Sequence, residues 1–215
     1  MIKAVLFDMD GVLLDSEKIY IACWVKAGKF LGLDFTYEMA LELRSLERES
    51  AKKKFKDWYG DEIWWERVYN ERVRIMEEEL IKNPIELKPY AKEVLKELKE
   101  KGCMTALVTA TAYDTAVKRT KEAGLYDLLD KIISAKSVPH GKPYPDPYAY
   151  ACSMLEVDPA DTIAVEDSPN GIKSAYAAGC RAVMVPDLTE PDDELKKLLY
   201  SREDDLREIV KLVME

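Results

Sequence analysis

Ile2-Lys3-Ala4-Val5-Leu6-Phe7-Asp8-Met9-Asp10-Gly11-Val12 decides how the chain is read. The run from Ile2 to Phe7, interrupted only by Lys3, is continuously apolar rather than alternating. That pattern predicts a strand buried on both faces, as in a parallel sheet. The run stops at two carboxylates spaced i and i+2, which leave a strand end on the same side. Gly11 then lets the backbone turn and frees amide groups to face an anion. Taken alone, the segment is also an ordinary strand-to-loop turn.

Further along, the same kind of element recurs from Tyr90 onward. Tyr90, Val94, Leu95 and Leu98 mark one face of a helix that Gly102 stops. Cys103 to Val108 reads as a strand, then Tyr113, Ala116, Val117 and Thr120 as a helix ended by Gly124. Lys131 to Ser134, Thr162 to Val165 and Cys180 to Val185 are further strands. The helices between them open at Asp146-Pro147 and Ser168-Pro169, each a cap residue followed by proline at the first helical position. Strands alternating with helices predict an α/β fold with a parallel sheet covered on both faces. Right-handed crossovers bring all strand C-terminal ends to one edge, where such sheets bind ligands beside the topological switch point. The loops after Phe7, Val108, Ser134 and Val165 are therefore the ones to inspect.

Residues 15–84 break the rhythm. They read as four helices, roughly 16–31, 37–44, 47–59 and 61–82, with Asp15 and Ser16 able to cap the first. All four tryptophans lie here (Trp24, Trp58, Trp64 and Trp65), and they read as this insertion's own core rather than a ligand platform. The expected division is a core of 1–14 and 85–215 with an inserted α-helical domain of 15–84. From Pro191 onward two short amphipathic helices are expected.

Composition narrows the function. The chain has 215 residues, 34% of them charged, and a formal net charge of -9. That acidity argues against a nucleic-acid binder, which needs a basic footprint. With a single histidine, His140, no site can be built from several imidazoles, so a metal must be held by oxygen. The four cysteines lie among apolar residues with no C-x-x-C spacing and read as reduced, buried thiols. The first residues do not form a signal peptide, and no apolar stretch is long enough to span a membrane. A cytoplasmic protein, monomeric for preference, is expected. The absence of glutamine, with only three asparagines, points to a heat-adapted protein whose melting temperature lies well above about 50 °C.

Three more motifs fall in the chosen loops. Val108-Thr109-Ala110-Thr111 offers a hydroxyl beside free amides, although Thr109 also reads as a plain N-cap. Gly141-Lys142-Pro143-Tyr144-Pro145-Asp146 fixes a lysine in a proline-stiffened loop, a point charge suited to a phosphate. Val165-Glu166-Asp167-Ser168-Pro169-Asn170-Gly171 sets two acids just before a helix N-terminus. In this order, with the insertion behind the first motif, the set resembles the haloacid dehalogenase superfamily. D-x-D-G-V-L-x-D-S-E, G-K-P-x-P-D and E-D-S-x-x-G-I most resemble its β-phosphoglucomutase-like phosphatase branch.

The resemblance implies a Rossmann-like doubly wound core with an α-helical cap, and a phosphatase acting on a small soluble phosphate monoester. It implies that Asp8 attacks phosphorus to form an aspartyl-phosphate and that Asp10 acts as general acid, then base. Thr109, the amide of Ala110 and Lys142 would hold the transferring phosphoryl group. Asp8, Asp10, Glu166 and Asp167 against Lys142 leave a charge of -3 before any phosphate arrives, so a divalent cation is needed, and oxygen donors suit Mg²⁺. Its expected ligands are Asp8, the main-chain oxygen of Asp10, Asp167 and, directly or through water, Glu166. Arg48 of the cap takes the place of an arginine that contacts substrate phosphate in sugar phosphomutases, or else it is a solvated helix-start arginine. His140 reads as a loop histidine, and Lys52-Lys53-Lys54-Phe55-Lys56 as a solvated helix face. Where the phosphomutase has a cap histidine this chain has Tyr20, and where it has a lysine after the threonine motif this chain has Ala112. Both departures favour a phosphatase over a hexose-phosphate mutase. A receiver-like phospho-signalling domain also clusters acids, a threonine and a lysine, but its phosphorylated aspartate follows the third strand.

Overall fold

Phe7 is the last residue of the first strand, β1 (Ala4–Phe7), which is wholly buried. A computed structural model describes residues 1–214 of the chain. On one side β1 pairs in parallel with β2 (Met104–Thr109), on the other with β4 (Thr162–Glu166). β3 (Lys131–Ser134), β5 (Arg181–Met184) and β6 (Ser201–Arg202) complete a six-stranded sheet ordered β3-β2-β1-β4-β5-β6. Every pairing is parallel. The chain builds outward from β1 in one direction and then, from β4, in the other. The switch point is therefore the gap between the C-terminal ends of β1 and β4.

Alternation along each strand divides its side chains between two layers. Val5, Phe7, Leu107, Ile163, Val165 and Val183 face one cluster. It is covered by α5 (Ala91–Glu100), α6 (Tyr113–Glu122) and α10 (Arg207–Met214). Ala4, Leu6, Ala106, Val108, Ala164 and Ala182 face the other, covered by α7 (Asp146–Leu155) and α8 (Pro169–Ala177). The sheet is thus doubly wound, as the strand–helix rhythm predicts. All four cysteines are buried and free.

Between β1 and α5 the chain makes four helices, α1 (Glu17–Phe30), α2 (Tyr37–Glu42), α3 (Arg48–Tyr59) and α4 (Ile63–Lys82). Their apolar faces form a separate cluster centred on Phe35, Phe55, Trp65 and Val68. The rings of Phe35 and Phe55 stack at 5.6 Å and those of Trp65 and Tyr69 at 4.8 Å. Aromatic pairs at such spacings add to the burial term.

Three local expectations need correction. The C-terminal segment is a short helix, α9 (Asp193–Lys196), then β6, then α10. β6 is only two residues long, too short to show a period-2 pattern. Its place at the sheet edge is fixed by flanking amides, Tyr200 to the carbonyl of Ala182 and Glu203 to that of Met184 (2.8 Å each). Ser16 occupies the cap position of α1, but its backbone is already near-helical and its hydroxyl points elsewhere. Asp146 is the first residue of α7 rather than its cap, which is Pro145. The Asp146 carboxylate instead accepts from the His140 amide (3.3 Å). Ser168 does cap α8, accepting from the Gly171 amide at 3.1 Å. Among the described residues no helix is long and apolar enough to cross a membrane.

Candidate active site

The site follows from how β1 and β4 end. The Asp8 amide donates to the carbonyl of Val165 (3.0 Å), extending the ladder one residue and bringing Asp8 beside Glu166. Met9 turns into the core, which leaves Asp8 and Asp10 on the same side. Asp8, Glu166 and Asp167 are all buried, and each offers a carboxylate oxygen within 4.8 Å of the others. Lys142 reaches into this group with its ammonium fully buried. It donates to Asp8 Oδ1 at 2.7 Å, Glu166 Oε1 at 2.5 Å and the carbonyl of Val108 at 2.9 Å. The Tyr148 hydroxyl on α7 donates to the same Glu166 oxygen at 2.6 Å.

Two glycines are required by close approach. A Cβ at Gly171 would lie 1.9 Å from the Glu166 carboxylate. One at Gly11 would lie 2.5 Å from Asp167 Oδ2, and Gly11 has a φ of +85°, which side-chain-bearing residues rarely adopt.

The electrostatics are those of crowded, desolvated acids. Burial pushes the Asp8 carboxyl well above the usual carboxylate range, against the pull of Lys142. Burial raises Asp167 to about 7, opposed by Arg44 and reinforced by the charge of Glu166. Glu17, at the start of α1, is raised the same way, by burial first and then by Asp167. Burial works against the charge on Lys142, but the Asp8 and Glu166 carboxylates outweigh it and hold the ammonium protonated. The donor set fits a hard divalent cation: three buried carboxylates, with Asp167 Oδ1 buried and lacking any hydrogen-bond partner among the described residues.

Asp10 stands a few ångströms away in a polar cradle. Ser16 donates to its Oδ1 at 2.7 Å and Thr111 to its Oδ2 at 3.1 Å, while an Arg119 nitrogen lies 3.6 Å from Oδ1. Thr109 ends β2, and its hydroxyl accepts from the Thr111 amide at 3.0 Å. That bond shapes the loop, and the cap position of α6 falls to Ala112. Ala110 follows on the wall of the cleft. Ser134, at the end of β3, ties this loop down by donating to the Thr111 carbonyl at 2.7 Å.

The helical insertion reaches into the site through the segment between α2 and α3. Arg44 is buried, donating to Asp167 Oδ2 at 3.0 Å and to Thr189 Oγ1 at 2.6 Å. Glu47 accepts from the Gly141 amide (3.0 Å), and its own amide donates to the Lys142 carbonyl (3.0 Å). Asn170 donates to the Arg44 carbonyl at 2.8 Å. Ser45, between these contacts, holds a left-handed φ of 52°, a strained conformation of the sort tertiary contacts enforce. Arg48 is not brought to the acids. It lies on the cleft wall, ion-paired with Glu66 and stacked over Trp65 at 5.0 Å. His140 pairs with Asp146 on the surface (3.2 Å), while Lys52 and Lys54 pair with Glu49 and Glu42 on a solvated face.

Sequence reasoning missed Arg44, Glu47, Ser16, Thr111, Arg119 and Tyr148. Ser16 and Glu17 were within reach, since both lie in the quoted D-S-E segment. Thr111 lies in the quoted threonine motif, while Arg44, Glu47, Arg119 and Tyr148 reach the site from outside the quoted motifs.

Comparison with known proteins identifies the family and the fold. A family model described as haloacid dehalogenase-like hydrolase matches residues 2–179. A phosphorylated carbohydrates phosphatase of Thermotoga maritima is 30% identical over 187 residues, covering 84% of this chain and 83% of that protein. A beta-phosphoglucomutase of Bacillus subtilis is 28% identical over 191 residues, covering 85% and 83%. A hydrolase from Pseudomonas syringae has the same fold, with a TM-score of 0.84 at 19% identity over 97% of this chain and 96% of its own.

Proposed function

The chain belongs to the haloacid dehalogenase-like hydrolases and is a phosphoric monoester hydrolase, and from that premise we propose a Mg²⁺-dependent phosphatase that works through an aspartyl-phosphate on Asp8. The substrate is a small soluble monoester of the sugar-phosphate or phosphoglycolate type. Residues 1–14 and 85–215 form the catalytic core, and residues 15–84 a cap that sets specificity. The observation that carries this reading is the buried trio of Asp8, Glu166 and Asp167 bridged by Lys142 at the switch point.

Asp8 attacks phosphorus in line with the ester oxygen, so that its carboxylate becomes an acyl phosphate as the ester bond breaks. Asp10, oriented by Ser16 and Thr111, gives its proton to the leaving oxygen. It then takes a proton from the water that hydrolyses the intermediate. Lys142, the Thr109 hydroxyl and the Ala110 amide hold the phosphoryl oxygens as charge redistributes. Asp8, the Asp10 carbonyl and Asp167 would hold Mg²⁺, with Glu166 contributing through the oxygen Lys142 leaves free. When bound, the ion offsets repulsion between the carboxylates and the phosphate. Arg44 and Glu47 lock the cap over the site and exclude water while chemistry proceeds. Arg48 is a substrate contact at the cleft wall, weakened by its pairing with Glu66.

The Bacillus subtilis relative is the ground for a second reading, a hexose-phosphate mutase. Tyr20 argues against it. Burial raises its phenol far above neutral pH, so it cannot relay protons as an imidazole would. The test is a phosphate-release screen over sugar phosphates and phosphoglycolate, with Mg²⁺ and with chelator. Release that needs Mg²⁺ is expected. Isomerisation of a hexose 1-phosphate without free phosphate would favour the mutase, and turnover indifferent to chelator would discard the metal.

A further inference from the structure

Four arginines line the cleft that opens above Asp8 and Asp10: Arg44, Arg48, Arg72 and Arg119. Three have carboxylates. Arg44 is paired with Asp167, Arg48 with Glu66, and Arg119 lies 3.6 Å from Asp10. Arg72, on α4, has no carboxylate partner among the described residues, and its Nε is buried with no hydrogen-bond acceptor. Its guanidinium instead sits among aromatic rings, with its central carbon 5.1 Å from the centroid of Tyr20, 5.1 Å from that of Trp24 and 5.9 Å from that of Tyr69. Contact with aromatic rings holds a guanidinium in place without taking up its N–H donors.

The placement gives those donors a use. Tyr20 lies between Arg72 and the catalytic end of the cleft, and the Arg119 guanidinium stands 5.3 Å from the same ring. The Tyr20 hydroxyl is buried, is within the influence of the Asp10 carboxylate and makes no hydrogen bond of ordinary length among the described residues. Asp10, Arg119, Tyr20 and Arg72 therefore form a row leading away from the position where Asp10 meets the leaving oxygen. Resting on the phosphatase reading above, we propose that Arg119, Tyr20 and Arg72 form a subsite for a second anionic group, a carboxylate or another phosphate, carried on the leaving group of the substrate. The unpaired Arg72 guanidinium gains a charged acceptor, and the anion exchanges water for positioned N–H donors. A neutral leaving group leaves those donors unmet.

The test compares pairs of esters that differ by one anion. 2-Phosphoglycolate is set against 2-hydroxyethyl phosphate, and butane-1,4-diol bisphosphate against its monophosphate. In the wild type the anionic member of at least one pair is expected to have the higher kcat/KM by about tenfold, the scale of one charge-assisted hydrogen bond. The pair that discriminates tells a carboxylate from a phosphate. Arg72→Gln is expected to cut that ratio to about threefold or less, chiefly through KM, and Arg72→Lys to restore part of it. A melting curve for each variant shows that the fold is kept. A wild-type ratio near one in both pairs, or a ratio unchanged in a folded Arg72→Gln, overturns the subsite. Binding read by tryptophan fluorescence separates the two claims. If no ester is hydrolysed yet 2-phosphoglycolate or the bisphosphate binds saturably to wild type and not to Arg72→Gln, the hydrolase reading falls and the subsite stands. Absence of both turnover and binding overturns the subsite as well.

Discussion

The sheet edge and the helical insertion solve opposite problems. At the edge, four short segments each deliver one or two polar side chains to a point fixed by backbone geometry. Asp8 is held by a ladder hydrogen bond to Val165, and Glu166 by a glycine opposite it that leaves room for no side chain. In the insertion nothing of the kind holds. Its cluster is aromatic, its buried members spread between Ile21 and Val68, and its polar residues reach the cleft from α1, α3, α4 and the segment between α2 and α3. The polar residues of the edge thus come from contiguous motifs, whereas those the insertion brings to the cleft are set by tertiary packing.

The sharpest break in the comparison is at Asp8. Asp8→Asn keeps the shape of the edge but removes the nucleophile, and turnover should fall about 10⁴-fold or more in a phosphate-release assay. Residual activity near wild type would mean the edge is not the reactive region. Gly171→Ala tests the edge's dependence on backbone approach. A methyl group 1.9 Å from the Glu166 carboxylate must displace it, and a shift of about 1 Å costs on the order of 10²-fold in rate, measured as kcat on the best ester. Normal kcat in this variant would show that the edge tolerates movement. In the insertion the matching perturbation acts on stability. Phe55→Ala deletes the centre of the aromatic cluster, where Phe55 is fully buried, and should lower unfolding stability by about 3–5 kcal/mol in urea. A loss below about 1 kcal/mol would mean the insertion has no core of its own. The smallest effect is expected at Arg48. The side chain is exposed and its charge is shared with the half-buried Glu66, so Arg48→Ala should raise KM by about threefold, the scale of a solvent-screened contact. A hundredfold rise would make it a principal substrate clamp.

The same contrast explains what was legible in the sequence. β1 to β5 and α1 to α8 follow from apolar runs, helix-period faces and proline or glycine punctuation, because each signal is local. Asp8, Asp10, Glu166 and Asp167 were legible because a strand end presents its next residues in a fixed direction, and Lys142 because prolines stiffen the loop that carries it. β6 was not, since two polar residues carry no period. Arg44 was not either, because its role comes from a contact 123 residues away along the chain. Arg48, four residues on, was the arginine chosen from the sequence but is turned to Glu66. Thr109 was chosen for its hydroxyl, yet the neighbour Thr111 makes the contact with Asp10. Side-chain direction within a loop depends on φ and ψ values that residue type alone does not specify.

The central claim is that Asp8 carries the phosphoryl group. The direct measurement uses the Asp10→Asn variant with p-nitrophenyl phosphate and Mg²⁺, quenched in acid and mapped by peptide mass spectrometry. This leaving group needs no proton from residue 10, so the first step proceeds while hydrolysis of the intermediate slows. The account predicts a burst of one nitrophenolate per enzyme and a phosphoryl group on the peptide holding Asp8. Nitrophenolate released with Asp8 unmodified, or with the phosphoryl group on another residue, would contradict it.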